Sequence, residues 1–353
     1  MAYTTINNPE LYFQTKAWTG TGNEIAITFD GSQNMQPDWV WLKKRSASGI
    51  HVAHDAVRGA TKRLVPNSTD AETTQAQYVK SFDSNGITFG TDTDINANGA
   101  TAILWGWKAG NSAGSANTDG TINSTVSVNT TAGFSIVKYT GGGSAGTVGH
   151  GLSAAPEVVI LKSISGSDVW VTYHKGIDAT APADYFIQLQ STAARTNNAD
   201  FFSDTLPTNQ VFSIGANSAV SNNGSSFIAY CFAEKKGYSK FGTYAGNGNA
   251  DGPFVYTGFK PAFIIIKNFE QNDSWRTYDN KRLGYNVDNN ALFPNATDTE
   301  ATSDDLDILS NGFKVRATTG GLNNSNASYI FMAFAENPLV ANVGASGVPA
   351  TAR

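Results

Sequence analysis

Cysteine is nearly absent from this chain: its 353 residues include one, Cys231, alongside four histidines and three methionines. A single cysteine excludes a disulfide framework within the chain. Its setting in FIAYCF reads as a small buried thiol. Charge is also sparse, at 15% of residues with a net of -5. Phosphate binding needs a clustered basic surface, so no nucleic-acid partner is expected. The densest basic cluster, KKR at 43–45, reads as a solvated strand end. No apolar run reaches transmembrane length, so no membrane insertion is expected. The first residues, MAYTTINNPELYF, lack the basic and apolar regions of a signal peptide. Leu, Glu and Lys at helical spacing are missing as well. The one weakly helical segment is STDAETTQAQYV at 68–79, with Ser68 or Asp70 as cap.

What the chain does have is glycine (35 residues) and aromatics (20 Phe, 13 Tyr and 7 Trp), separated by Asn, Ser and Thr. Aromatic and β-branched residues suit a pleated surface, and the small polar residues suit its turns. These residues recur in a threefold order with a period of about a hundred residues. A proline opens an apolar run at Pro37 (PDWVWLKKR), Pro156 (PEVVILKS) and Pro261 (PAFIIIKNF), and 18 positions later stand Asp55, His174 and Asp279. Each copy begins with an aromatic and a polar stretch (Trp18, Tyr139, Tyr244) and ends in an apolar strand closing at Trp107, Phe232 and Phe334. Trp39 and Trp41 alternate onto one face. SFDSNGITFG reads as a hairpin through Asn85-Gly86, matched by Asn311-Gly312 in copy three and absent from copy two.

A unit of this length can bury a core of its own. The expected fold is therefore all-β, three tandem β-sandwich domains of jelly-roll or concanavalin-like type. The expected divisions are an N-terminal arm at 1–16, repeat one at 17–110, a linker at 111–132, repeat two at 133–237, repeat three at 238–337 and a C-terminal tail at 338–353. The second junction is short, which predicts close packing of repeats two and three.

Candidate chemistry is thin. Asp55, His174 and Asp279 recur in place but not in type, so they share no acid/base role and read as hydrogen-bonded anchors. His51 and His54 lie three apart, which puts them on opposite faces of a strand and argues against a metal. Asp92, Asp94, Asn96 and Asn98 alternate as calcium ligands do, but Ala97 stands where a calcium loop needs glycine. SDDLD, with Asp304, Asp305 and Asp307, reads as a solvated turn. Glu234 and Glu336 are equivalent by the repeat, but copy one has Ala109 there, so no glycosidase carboxylate pair is indicated. Trp170 and Trp275, four residues before the recurrent polar position, read as core aromatics rather than sugar-stacking ones. The Asn-x-Ser/Thr triplets at Asn67 and Asn295 read as incidental. GGGSAG at 141–146 leads into no helix and is not a phosphate loop. No catalytic residue, cofactor or metal is expected.

PDWVWLKKR, HDAVRG, SFDSNGITFG, WGWKAG, YIFMAFAENPL and GVPATAR together resemble a repeated domain of unknown function found in structural proteins of tailed phages of marine bacteria. The resemblance runs from NPELYFQTK to the terminal TAR and is weakest in repeat two. It implies a virion protein, tail-associated or fibre-forming, made in the host cytoplasm, with a role in host-surface attachment. It supplies no catalytic residues. A capsid decoration or head-fibre protein would have the same composition, and a carbohydrate-binding adhesin or depolymerase is the alternative from another class. The implied partners are other virion proteins, further copies of the chain (a trimer among the options) and a host-surface glycan.

Overall fold

The computed structural model describes residues 4–282, 286, 290–302 and 306–341. It is all-β, built of antiparallel sheets, and among the described residues the α-helices are four single turns of four residues: Thr93–Asn96, Ala199–Phe202, Ser218–Ser221 and Gly320–Asn323. One strand order occurs three times. In the first copy an opening strand, Phe13–Thr19, pairs with a closing strand, Thr101–Trp107; this pairs with the proline-led strand, Trp39–Lys44, and that with a fourth, His51–Asp55. The second copy repeats the order with Phe134–Thr140, Ser226–Phe232, Val158–Ser163 and Val171–His174. In the third copy the four are Ser239–Ala245, Ser328–Pro338, Phe259–Asn268 and Arg276–Asp279.

Each of these sheets is buried on both faces, which is why WVWL, VVIL and FIII are continuous apolar runs. One face covers a small sheet of its own copy. In copy one, Val40, Leu42 and Leu104 meet Ile27, Ile87 and Phe89, and equivalent clusters form in copies two and three. The opposite faces of all three sheets meet in one central core. Trp39, Trp41, Trp105 and Trp107 join Phe134, Ile160, Tyr230 and Phe232 from copy two and Phe263, Ile265, Met332 and Phe334 from copy three. The rings interlock across copies: Trp39 stacks on Tyr230 at 4.4 Å, Trp107 meets Phe263 edge-on at 5.4 Å, and Phe232 meets Phe334 at 5.7 Å. The alternation of Trp39 and Trp41 aims both into this core.

Several local expectations change. The 111–132 segment is not a plain linker: Ser115–Asn117 and Ser124–Asn129 form strands that extend the second large sheet beyond its opening strand. The alternation in STVSVN was the overlooked signal, with Val126 buried and Val128 packed against the same cluster. The arm at 1–16 already contains the start of the opening strand at Phe13, preceded by a 3₁₀ turn at Pro9–Leu11. It docks on its own chain, since the Thr4 hydroxyl and the Thr5 amide both donate to the Lys236 carbonyl. Segment 68–79 has no helix. It is extended, with Thr73–Thr74 pairing to Lys62–Arg63, because its main chain bonds to a neighbouring copy. Residues 342–353 of the tail, with Asp304 and Asp305, lie outside the described residues.

The hairpin glycines have a steric cause. The turn itself is Ser84-Asn85, and Gly86 follows with a positive φ of 103°. A Cβ at Gly86 would strike the Ile27 carbonyl, and one at Gly312 the Val255 carbonyl. Copy two has no third strand here and no glycine at this place; its small sheet has two strands, Gly146–Gly149 and Val211–Ile214.

A shared core couples the copies. Urea unfolding followed by tryptophan fluorescence and by far-UV circular dichroism is expected to give one coincident transition. Trp107→Ala is expected to lower its stability by about 3–5 kcal/mol. Residues 111–237 expressed alone would bare the inner aromatic face and are expected to associate or fail to fold, as size-exclusion chromatography would reveal.

Candidate functional site

The residues that recur with a chemical role lie on the three seams between copies. Lys43, Lys162 and Lys267 each stand six residues after the opening proline, and all are fully buried. The ammonium groups donate to main-chain carbonyls of the adjacent copy: Lys43 to Thr297 at 3.3 Å, Lys162 to Thr69 at 3.1 Å, Lys267 to Thr192 at 3.1 Å. Each also donates to a carbonyl beside it, of Lys44, Ser163 and Asn268 respectively. Burial lowers all three to about 8. Copy one thus reaches into three, two into one, and three into two, closing a ring. KKR is therefore no solvated strand end, for Lys43 is buried and Arg45 forms a two-pronged pair with Glu300, both bonds 2.8 Å.

The threonines belong to a recurrent triplet, Asn67-Ser-Thr69, Gln190-Ser-Thr192 and Asn295-Ala-Thr297. Its first side chain accepts the amide of residue 51, 170 or 275 within its own copy. Those three residues in turn reach the next copy. Trp170 Nε1 donates to the Val65 and Ser68 carbonyls and Trp275 Nε1 to that of Gln188, while His51 Nε2 meets the Phe293 carbonyl. Trp41 Nε1 donates to His51 Nδ1, so the proton of the neutral ring sits on Nε2. Trp170 and Trp275 are core aromatics, as their alternation suggested, and also seam donors.

The position of Asp55, His174 and Asp279 faces another seam contact. Asp55 Oδ2 accepts from Arg58 Nε and from the Tyr230 hydroxyl of copy two. Asp279 Oδ2 accepts from Arg282 Nε and from Trp105 Nε1 of copy one. The residue of copy three equivalent to Trp105 and Tyr230 is Met332, which has no strong donor. Opposite it stands His174, whose Nε2 bonds instead to the Phe331 carbonyl at 3.1 Å while Nδ1 accepts from Gly176 N. The change from carboxylate to imidazole thus tracks the loss of a donor across the seam. Arg58 and Arg282 are almost wholly enclosed and also pair with Glu72 and Glu300, at 3.2 and 3.0 Å. The Arg58 guanidinium is held in its charged form by Asp55 against the effect of burial.

Other candidates disperse. His51 points to the seam and His54 to Tyr78 on the opposite face, where its Nδ1 bonds to the Ala60 carbonyl. Asp92 caps the short helix at Thr93–Asn96, Asp94 accepts from the Tyr78 hydroxyl, and buried Asn96 ties this turn to Thr21 and Asn23. Asn323 does the same for Asn247 and Asn249 in copy three. Glu234 pairs with Lys240 at 2.8 Å and Glu336 with Lys260 at 2.6 Å. Asp307 pairs with Arg316. Among the described residues no group of three or more His, Cys, Asp or Glu side chains is placed to hold a metal ion. Cys231 is buried, and among the described residues no helix is long and apolar enough to cross a membrane. Among the described residues the exposed aromatics are Phe254 and Tyr256, on the edge strand of the small sheet in copy three, where copy one has Ala26 and Thr28.

A family model described as a domain of unknown function, DUF7483, matches residues 8–338. The chain belongs to that family. The range of the DUF7483 match takes in the strands of all three copies. No curated protein matches the chain. The DUF7483 seam residues missed in the sequence left two legible signals: the lysine at a fixed distance after each proline, and the Asn/Gln-x-Thr triplet. Taken singly, KKR reads as a solvated strand end and the Asn67 and Asn295 triplets as incidental; the signal lies in their recurrence across the copies.

Two outcomes test the seams. Asp55→Asn removes the closer of the two carboxylates that balance the buried Arg58 charge, leaving Glu72 alone, and is expected to lower stability by about 3–5 kcal/mol, partly restored by adding Arg58→Met. Burial holds His174 down to about 4, against an ordinary 6.5. The unfolded chain therefore takes up this proton first on acidification, and stability present above pH 6.5 is lost as the pH falls through 4. The loss is on the order of 3 kcal/mol from this ring alone. Urea midpoints measured from pH 7 to 4 are expected to fall less steeply in His174→Gln.

Proposed function

We propose that the chain is a structural component of a bacteriophage particle, tail-associated or fibre-forming, built from three β-sandwich units of jelly-roll or concanavalin-like type closed on one another. The observation that carries this reading is the use made of the recurrent polar residues. The three lysines, the three triplets and the Asp55, His174 and Asp279 position all bond across seams or brace groups that do. Copying has kept what fixes shape. A rigid body with three similar outer surfaces suits a particle component that stacks on neighbours, whether other virion proteins or further copies of itself, and presents a face to a host surface. The resemblance of PDWVWLKKR and YIFMAFAENPL to phage structural proteins supports the same class. A capsid decoration or head-fibre position is the nearest variant of the reading.

Cryo-electron microscopy of particles from a host expressing a gold-labelled copy of the chain is the direct test. Density on the tail or its fibres is the expected result, density on the head would move the protein to the decoration class, and absence from purified particles would overturn the virion reading.

A further inference from the structure

The three seams are not alike, and the difference lies between copies two and three. At the other two seams the loop after the fourth strand carries an arginine, Arg58 or Arg282, that reaches a glutamate, Glu72 or Glu300. In copy two both members are exchanged. Ile177 replaces the arginine and turns into the central core, fully buried. Arg195 replaces the glutamate, as their shared backbone bond to the adjacent copy shows: Glu72 N to Ile164 O, Arg195 N to Phe269 O, Glu300 N to Arg45 O. What remains is an open cleft of about 640 Å³ between the 175–179 loop of copy two and the end of the opening strand of copy three. That volume lies within the range of small-molecule sites, about 300–1,000 Å³.

We propose that this cleft is a saccharide-binding site, taking a neutral, polyhydroxylated ring or short oligosaccharide. Its polar lining includes Lys175, Asp178, Arg195, Thr243, Glu270 and Ser328. Arg195 is a donor fixed in advance, its guanidinium lying 4.5 Å from the centre of the Tyr185 ring and 5.1 Å from that of Phe269. The Ile177 carbonyl and Asp178 Oδ2 anchor it further. A guanidinium so restrained loses little freedom on binding. Asp178 is held ionised at about 2 by the Thr180 and Ala181 amides, which makes it an acceptor only. A sugar hydroxyl both accepts and donates, so it can bridge a guanidinium and a carboxylate as neither a cation nor an anion can. Both cations already have carboxylate partners, Lys175 with Glu157 and Glu234, Arg195 with Asp178. That balance disfavours a free anion. Phe269 and Tyr244 supply apolar wall for the ring's C–H surface.

The inference goes beyond the virion reading and is tested on purified full-length protein, so either can fail without the other. Calorimetric titration with laminarihexaose, cellohexaose, chitohexaose, alginate hexamer and inorganic sulfate is expected to show saturable one-to-one binding of at least one neutral oligosaccharide. Ala245→Trp, which fills the cleft from an exposed position, and Glu270→Gln are each expected to weaken it at least tenfold with unchanged urea midpoints. Tyr256→Ala, on the exposed edge strand, is expected to leave it unaltered. Should Ala245→Trp fail to fold, Glu270→Gln decides alone. No oligosaccharide binding, binding of alginate or sulfate only, or binding insensitive to the cleft variants and abolished by Tyr256→Ala would each overturn the proposal.

Discussion

The rest of the structure depends on one constraint: the three large sheets bury their inner faces against one another. A sheet covered on one side alternates apolar and polar residues, whereas a sheet covered on both cannot. The proline-led strands therefore carry WVWL, VVIL and FIII without interruption, and the closing strands FIAYCF and YIFMAF likewise. Aromatic rings from all three copies interlock at the centre, so no copy has a complete interior without the other two.

That burial dictates the polar chemistry at the edge of the core. Several of the lysines, carboxylates and indole N–H groups that strands carry into the interior take one partner from their own copy and a second from an adjacent one, because a buried polar group must be hydrogen-bonded. Lys43, Lys162 and Lys267 find threonine carbonyls, and Asp55 and Asp279 find Tyr230 and Trp105. The substitutions are paired: Met332 offers no strong donor, and the residue facing it is a histidine that bonds to main chain. Divergence among the copies is thus compensated within each seam, except where Ile177 and Arg195 leave a cleft.

Much of the architecture was legible. Strand starts, closing aromatics and the threefold order all correspond to observed strands, and the alternation of Trp39 and Trp41 gave their shared face. Less was legible where a segment acts through its main chain. Residues 68–79 look weakly helical by composition but lie extended because the carbonyl of Thr69 and the amide of Glu72 serve copy two. The strand at Ser124–Asn129 was hidden by small polar residues that nevertheless alternate.

The sequence by itself determined that the chain is β-rich, threefold repetitive and without a disulfide framework, because composition, period and cysteine count are local properties. Only the tertiary structure decided that the copies share a core, that the lysines are buried and that Asp55, His174 and Asp279 are seam residues. Those properties belong to pairs of segments 75 or more residues apart, and the identity of a side chain does not state which surface will cover it.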